Sequence, residues 1–92
     1  MDLNDLRKEI DQIDEQLVQL FLRRMDVAAR IADYKKEHGL PVFIPAREQE
    51  KLADVERIAG SAMADYVRKL YSTLFELSRN YQIASNTNGD AQ

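Results

Sequence analysis

From Leu3 onward the apolar residues of this chain fall at positions 3, 6, 10, 13, 17, 20, 27, 31 and 34, spaced by threes and fours. Such spacing predicts one long amphipathic helix with a heptad seam. Asp2 or Asn4 can cap its start, and His38-Gly39 can close it, because glycine takes the left-handed conformation that ends helices. Gly39 to Ile44 reads as a connection, with Pro41 forcing its predecessor out of helical geometry. Pro45 suits the first turn of a second helix, predicted over Pro45–Ala59 with Leu52, Val55 and Ile58 as its stripe and Gly60 as its end. Ser61 restarts the chain, with Asp65 placed to complete a capping arrangement. A third helix shows Met63, Val67, Leu70, Leu74, Leu77 and Tyr81 in the same alternation, flanked by Tyr66, Tyr71 and Phe75. The expected fold class is all-α, a three-helix protomer with a very long first helix. Residues 1–84 form its domain, and the run Ser85 to Gln92 forms a disordered polar tail that lacks any large apolar anchor.

The length of the first helix changes the picture. About 36 helical residues at ~1.5 Å each span roughly 54 Å, whereas a compact chain of this size has a radius of gyration of ~12 Å. The far half of the seam would be bare in a monomer, so a second copy is expected to cover it, giving an intertwined helical homodimer.

Composition narrows the chemistry. The 92 residues allow one domain, and three Gly with two Pro leave few tight turns for a β architecture. The absence of cysteine removes disulfides, thiolate metal sites and thiol nucleophiles, and suits a reducing cytoplasm. A net charge of −3 offers no general attraction to nucleic acid or anionic lipid, so any anion must be bound locally. There is no basic, apolar leader and no apolar run near the ~18 residues needed to span a bilayer. The expected location is cytoplasmic, with no membrane or nucleic-acid partner.

Continuing the seam from Leu17 and Leu20 calls for an apolar side chain at 24, yet the residue is Arg24. A guanidinium in an apolar seam needs either a carboxylate such as Asp14, Glu15 or a partner-chain acid, or an anionic ligand. Lys35 lies 11 residues on, nearly a whole number of turns, so the two cations share a face. Arg7 stands 17 residues before Arg24, about 25 Å along the axis. It can join the same ligand only from the antiparallel partner of a dimer. Arg23 and Lys36 read as a solvated face, and His38 as a C-terminal helix residue favoured by the macrodipole. Ser78 and Gln82 continue the stripe of Tyr71 and Phe75, placing two polar groups at the end of an apolar face. An amide such as Gln82 can donate to a ligand oxygen without burying an ion, although a terminal-turn Gln facing water has the same spacing. Arg47 and Glu48 follow Pro45. Glu48 suits the helix dipole and could equally accept a hydroxyl proton. No metal-ligand cluster, nucleophile-base pair or phosphate-binding glycine loop competes with this set, so no metal or cofactor is expected.

The runs Leu6 to Leu17, Leu20 to Arg24, Ala32 to Lys35, Pro45 to Glu48 and Ser78 to Gln82 closely resemble, in order and spacing, the all-helical chorismate mutases. The likeness covers residues 3 to about 84. It implies an intertwined homodimer with shared active sites that converts chorismate to prephenate by an intramolecular rearrangement, the branch step toward phenylalanine and tyrosine, without covalent or acid–base catalysis. It further implies that Arg24 and the partner's Arg7 bind carboxylates, and that Lys35 contacts a carboxylate and the ether oxygen. Arg47 would belong to the site wall, Glu48 would accept the ring hydroxyl, Ser78 would contact a carboxylate, and Gln82 would donate to the ether oxygen. One departure is Ile44, where some members carry an acid, which touches the hydroxyl contact. Two alternatives stand beside this reading: an isochorismate-pyruvate lyase on the same scaffold, against which Glu48 argues, and a non-enzymatic helical dimerisation module.

Overall fold

The computed structural model describes residues 2–90, with side chains through residue 84, so the tail expected at 85–92 lies outside the side chains described. Three helices follow one another: α1 Leu3–Glu37, α2 Pro45–Ala59 and α3 Ala64–Asp90. The described residues contain no strand, and the fold is all-α.

Local chemistry explains the helix ends. Asp2 is the cap of α1. Its carboxylate accepts the Asp5 N–H at 2.9 Å, and the Asp5 carboxylate accepts the Asp2 N–H at 3.4 Å, a reciprocal capping box. At the other end the Leu40 N–H reaches the Lys35 carbonyl and the Gly39 N–H reaches that of Lys36, with Gly39 at φ +66°. These two bonds form a Schellman closure. Pro45 opens α2, while Ile44 at its cap has no side-chain acceptor to offer. Gly60 ends α2 at φ 85°, ψ 162°, a region that side chains rarely enter. The start of α3 differs from expectation. Ser61 provides no cap; a turn closed by the Met63 N–H on the Gly60 carbonyl intervenes, and the helix begins at Ala64.

Helix α3 packs against both of the others. Ala28 and the fully buried Ala32 present a flat surface of α1, Leu52 and Val55 the inner face of α2, and Phe75 the apolar part of α3. Contacts Arg24–Ser78 and Ala28–Gln82 advance together along the chain, so α1 and α3 run parallel there. Contacts Glu56–Arg68 and Glu48–Arg79 advance oppositely, so α2 returns antiparallel to α3.

Two apolar stripes remain uncovered in the protomer. Leu3, Leu6, Ile10, Ile13, Leu17 and Leu20 of α1 are all exposed, Ile10 by 59%. Of the stripe expected along the third helix, Met63, Leu70, Leu77 and Tyr81 are likewise exposed while Val67 and Leu74 are half-buried, because the face turned fully inward is the neighbouring one with Phe75, Ser78 and Gln82. The outline measures 54 × 30 × 14 Å, with a radius of gyration of 16.6 Å. Its accessible area of 7364 Å² is about a third more than the ~5,500 Å² typical of a compact protein of this mass.

A Cβ added at Gly60 would meet no atom within 4 Å, so only backbone strain opposes a side chain there. Gly60→Ala is therefore expected to destabilise the fold by about 1–3 kcal/mol, measured by denaturant unfolding. An unchanged midpoint would show that the α2–α3 junction relaxes freely.

Candidate active site

One cleft of about 220 Å³ opens where the three helices meet, and each helix supplies residues at the spacing of a single face. Helix α1 gives Arg24, Ala28, Ile31 and Lys35; α2 and its cap give Ile44, Arg47, Glu48 and Lys51; α3 gives Phe75, Ser78, Arg79 and Gln82. Steps of three and four return a side chain to the same side of a helix, which is why residues so far apart in sequence converge. Five of the lining residues are Lys or Arg and one, Glu48, is an acid. In a chain of net charge −3 this is a strong local concentration of positive charge.

Neutral acceptors hold the two α1 cations of the cleft. Arg24 Nη1 donates to Ser78 Oγ at 2.9 Å, and its guanidinium carbon lies 5.7 Å from the ring centres of both Tyr71 and Phe75. It has no carboxylate partner among the described residues, so neither Asp14 nor Glu15 forms the pair that sequence left open. Lys35 Nζ donates to the Val42 carbonyl at 3.0 Å, which ties the connecting loop to α1. Two of its three ammonium protons are left for another acceptor.

One turn beyond the Arg24–Ser78 contact, the buried Gln82 donates through Nε2 to the Ala28 carbonyl at 2.8 Å. The α1 carbonyl thereby fixes the amide, whose second N–H has no partner among the described residues. The reading of Gln82 as a solvated terminal-turn residue is set aside by its burial. Ser78 is also buried, accepting from Arg24 and directing its hydroxyl toward Met25 Sδ at 3.9 Å.

At the α2 side, Arg79 Nη1 reaches both oxygens of Glu48, at 2.6 and 2.5 Å, and the Arg79 guanidinium lies 4.7 Å over the Phe43 ring. Arg47 is exposed, 3.9 Å from Glu50. Lys51 lies 3.6 Å from Asp54, whose carboxyl is held below its usual range by a hydrogen bond and the charge of Arg57, with Lys51 adding to the effect.

Six of the seven candidate residues from sequence thus line one cleft. The seventh, Arg7, does not: it sits near the start of α1 on an exposed surface with Leu3, Leu6, Ile10 and Asp11. Arg79 and Lys51 were missed as lining residues. Lys51 could have been found as the residue one turn beyond Arg47 and Glu48, and Arg79 as the residue one turn beyond Phe75, although its pairing with Glu48 depends on how α2 packs there. Among the described residues no group of three His, Asp or Glu is placed to hold a metal ion, and no helix is long and apolar enough to cross a membrane.

A family model described as chorismate mutase type II matches residues 6–83. The chain is 36% identical over 73 residues to the T-protein of Haemophilus influenzae, covering 73% of this chain and 19% of the relative. It is 30% identical over 92 residues to the bifunctional chorismate mutase/prephenate dehydratase of Aquifex aeolicus, covering 90% of this chain and 25% of that protein. A 4-amino-4-deoxychorismate mutase of Streptomyces venezuelae is 44% identical over 46 residues, half of this chain and 45% of the relative. The chain therefore spans a quarter or less of the first two relatives. No solved structure gives a significant match.

An Arg24 held by a hydroxyl and two rings contributes little to folding, since a guanidinium partly removed from water gains less there than it loses. Arg24→Met is expected to unfold at no lower denaturant concentration than the parent. A drop in stability of about 2 kcal/mol or more would make Arg24 a structural residue.

Proposed function

The chain belongs to the type II chorismate mutase family, and on that premise we propose that it rearranges chorismate to prephenate in the cleft between α1, α2 and α3, acting as a cytoplasmic homodimer. The observation that carries this reading is the cleft lining, in which five cations face one acid and a fixed neutral amide. Such a lining suits a compact dianion with one hydroxyl.

The reaction exchanges bonds within one molecule: the ether C–O bond breaks as a C–C bond forms through a chair-like arrangement. It needs no proton transfer and no covalent intermediate. The site must hold the reactive conformer and stabilise negative charge growing on the ether oxygen. Arg24 and Lys35 are assigned to the carboxylates, with Ser78 orienting the Arg24 fork and Arg47 forming the outer wall. Lys35 and the second N–H of Gln82 are assigned to the ether oxygen, where donors accelerate the reaction only by binding the transition state more strongly than the substrate. Glu48 is assigned to the ring hydroxyl. Ionised, it retains lone pairs for that proton while Arg79 occupies the others.

The uncovered apolar stripes support the dimer. A second copy laid antiparallel along α1 would cover the leucine and isoleucine stripe and bring Arg7 of the partner subunit toward the cleft, adding a cation at the carboxylate side. The relative named for the 4-amino counterpart of chorismate marks the ring substituent as the point on which substrate choice turns.

Direct observation of chorismate loss with prephenate as product tests the activity. Gln82→Glu places a carboxylate against the Ala28 carbonyl, an acceptor that disfavours the ionised form. Its protonated form can still donate. The variant is expected to lose about 10² to 10³ in kcat at neutral pH and to recover as pH falls, while the parent profile stays flat; matching profiles would take Gln82 out of the mechanism. For the shared site, Arg7→Ala and Arg24→Ala are each expected to be poorly active alone. Mixing them with subunit exchange is expected to restore up to about a quarter of the parent sites, because half the dimers are mixed and each has one intact site. No recovery despite proven exchange would confine each site to one chain.

A further inference from the structure

Among the cleft residues Arg79 has no part in the chemistry above, yet it is the most firmly tethered of them. It contacts both oxygens of Glu48 on α2 and lies over Phe43 of the connecting loop. We propose that Arg79 is a specificity-determining residue: paired with Glu48, it leaves that carboxylate able to accept from a neutral ring hydroxyl and unfavourable to a cationic ring substituent. The inference rests on the chorismate mutase reading of the cleft and goes beyond it.

The argument is electrostatic. Glu48 is the one acid in the lining, and Arg79 offsets its charge at hydrogen-bond distance. Arg47 and Lys51 flank it on the same face of α2, Arg47 near Glu50 and Lys51 near Asp54, which it shares with Arg57. Ile44, one turn before Glu48, adds an apolar wall where a second carboxylate would have supplied negative charge. A hydroxyl asks only for one lone pair, which Glu48 still has. An amine, protonated near neutral pH, must sit beside the Arg79 guanidinium with no net negative charge to offset its lost hydration, and like charges at close quarters disfavour binding. The Glu48–Arg79 pair is only partly exposed, 24% and 30% for the two side chains, so water screens this repulsion incompletely.

The test compares kcat/KM for chorismate and for 4-amino-4-deoxychorismate in the parent, Arg79→Met and Arg79→Lys. Because both substrates are read on the same preparation, their ratio is independent of how much of a variant is folded. The parent is expected to favour chorismate by at least about tenfold. In Arg79→Met, which keeps the stem and removes the charge, that preference is expected to fall by about tenfold or more, chiefly through a lower KM for the amine. Arg79→Lys is expected to retain most of the parent preference, which a purely structural role would not require. A ratio within about twofold of the parent in Arg79→Met, or a parent that uses both substrates equally, would overturn the inference while leaving the mutase reading intact. Should Arg79→Met fail to fold, Arg79→Gln, which also removes the charge, takes its place in the comparison. A parent inactive on both substrates would remove the reading of the cleft itself, and the inference with it.

Discussion

The structure depends on holding two cations of the cleft, Arg24 and Lys35, in place without neutralising them. Arg24 and Lys35 face the cleft with a serine hydroxyl and a loop carbonyl as their partners. Either cation could have been stabilised by a carboxylate, but such a pair would have spent its charge inside the protein. Neutral acceptors orient the donors and leave the field available to an anion. On the proposed reading a bound dianion would meet that field, and its binding energy would add to the stability of the fold.

Helix geometry places those charges. Arg24 and Ala28 are one turn apart on α1, as are Ser78 and Gln82 on α3, and the two contacts they form span the same sequence separation. A parallel ladder of this kind has little freedom to slide, since displacement by one residue would turn Ser78 and Gln82 away from α1 together. The small side chains at Ala28 and Ala32 let α3 approach closely enough for an amide to reach a main-chain carbonyl. Ordinary helix spacing thus supplies the preorganisation that an electrostatic catalyst requires, without strained backbone in the site: the two positive-φ residues of the described chain are Gly39 and Gly60, outside the cleft lining.

How much of this could be read from sequence follows from the kind of signal each feature leaves. Both ends of α2 and the span of α1 were legible, because Pro45, Gly60 and the His38-Gly39 pair act through local backbone preferences that tertiary contacts did not override. The start of α3 was less legible: Ser61 and Asp65 have capping chemistry, but the extended turn at Gly60 carries the chain past Ser61 before the helix begins. Arg24 and Gln82 stood out because each sits where a stripe should be apolar. Arg79 gave no such signal, since its role follows from the antiparallel approach of α2. The core of α3 was also misplaced, because the longest apolar stripe is the exposed one and the inward face mixes Phe75 with Ser78 and Gln82.

That mixture suggests a division of labour across the cleft. The α1–α3 ladder carries Arg24, Lys35, Ser78 and Gln82, the groups assigned to the carboxylates and the ether oxygen. The loop and α2 carry Ile44, Arg47, Glu48 and Lys51, with Glu48 assigned to the ring substituent and Arg47 to the outer wall, and Arg79 joins this half to α3. On this assignment, changes in the second set would alter what the ring may carry without moving a donor of the first. A family whose members are named for chorismate and for its 4-amino counterpart is what such a separation permits. The transition-state charge lies on the same oxygen for either substrate, whereas the substituent differs by a full charge. On the proposed reading, selection for one ring over the other would act on the α2 face, which the short ionic link from Glu48 to Arg79 joins to α3.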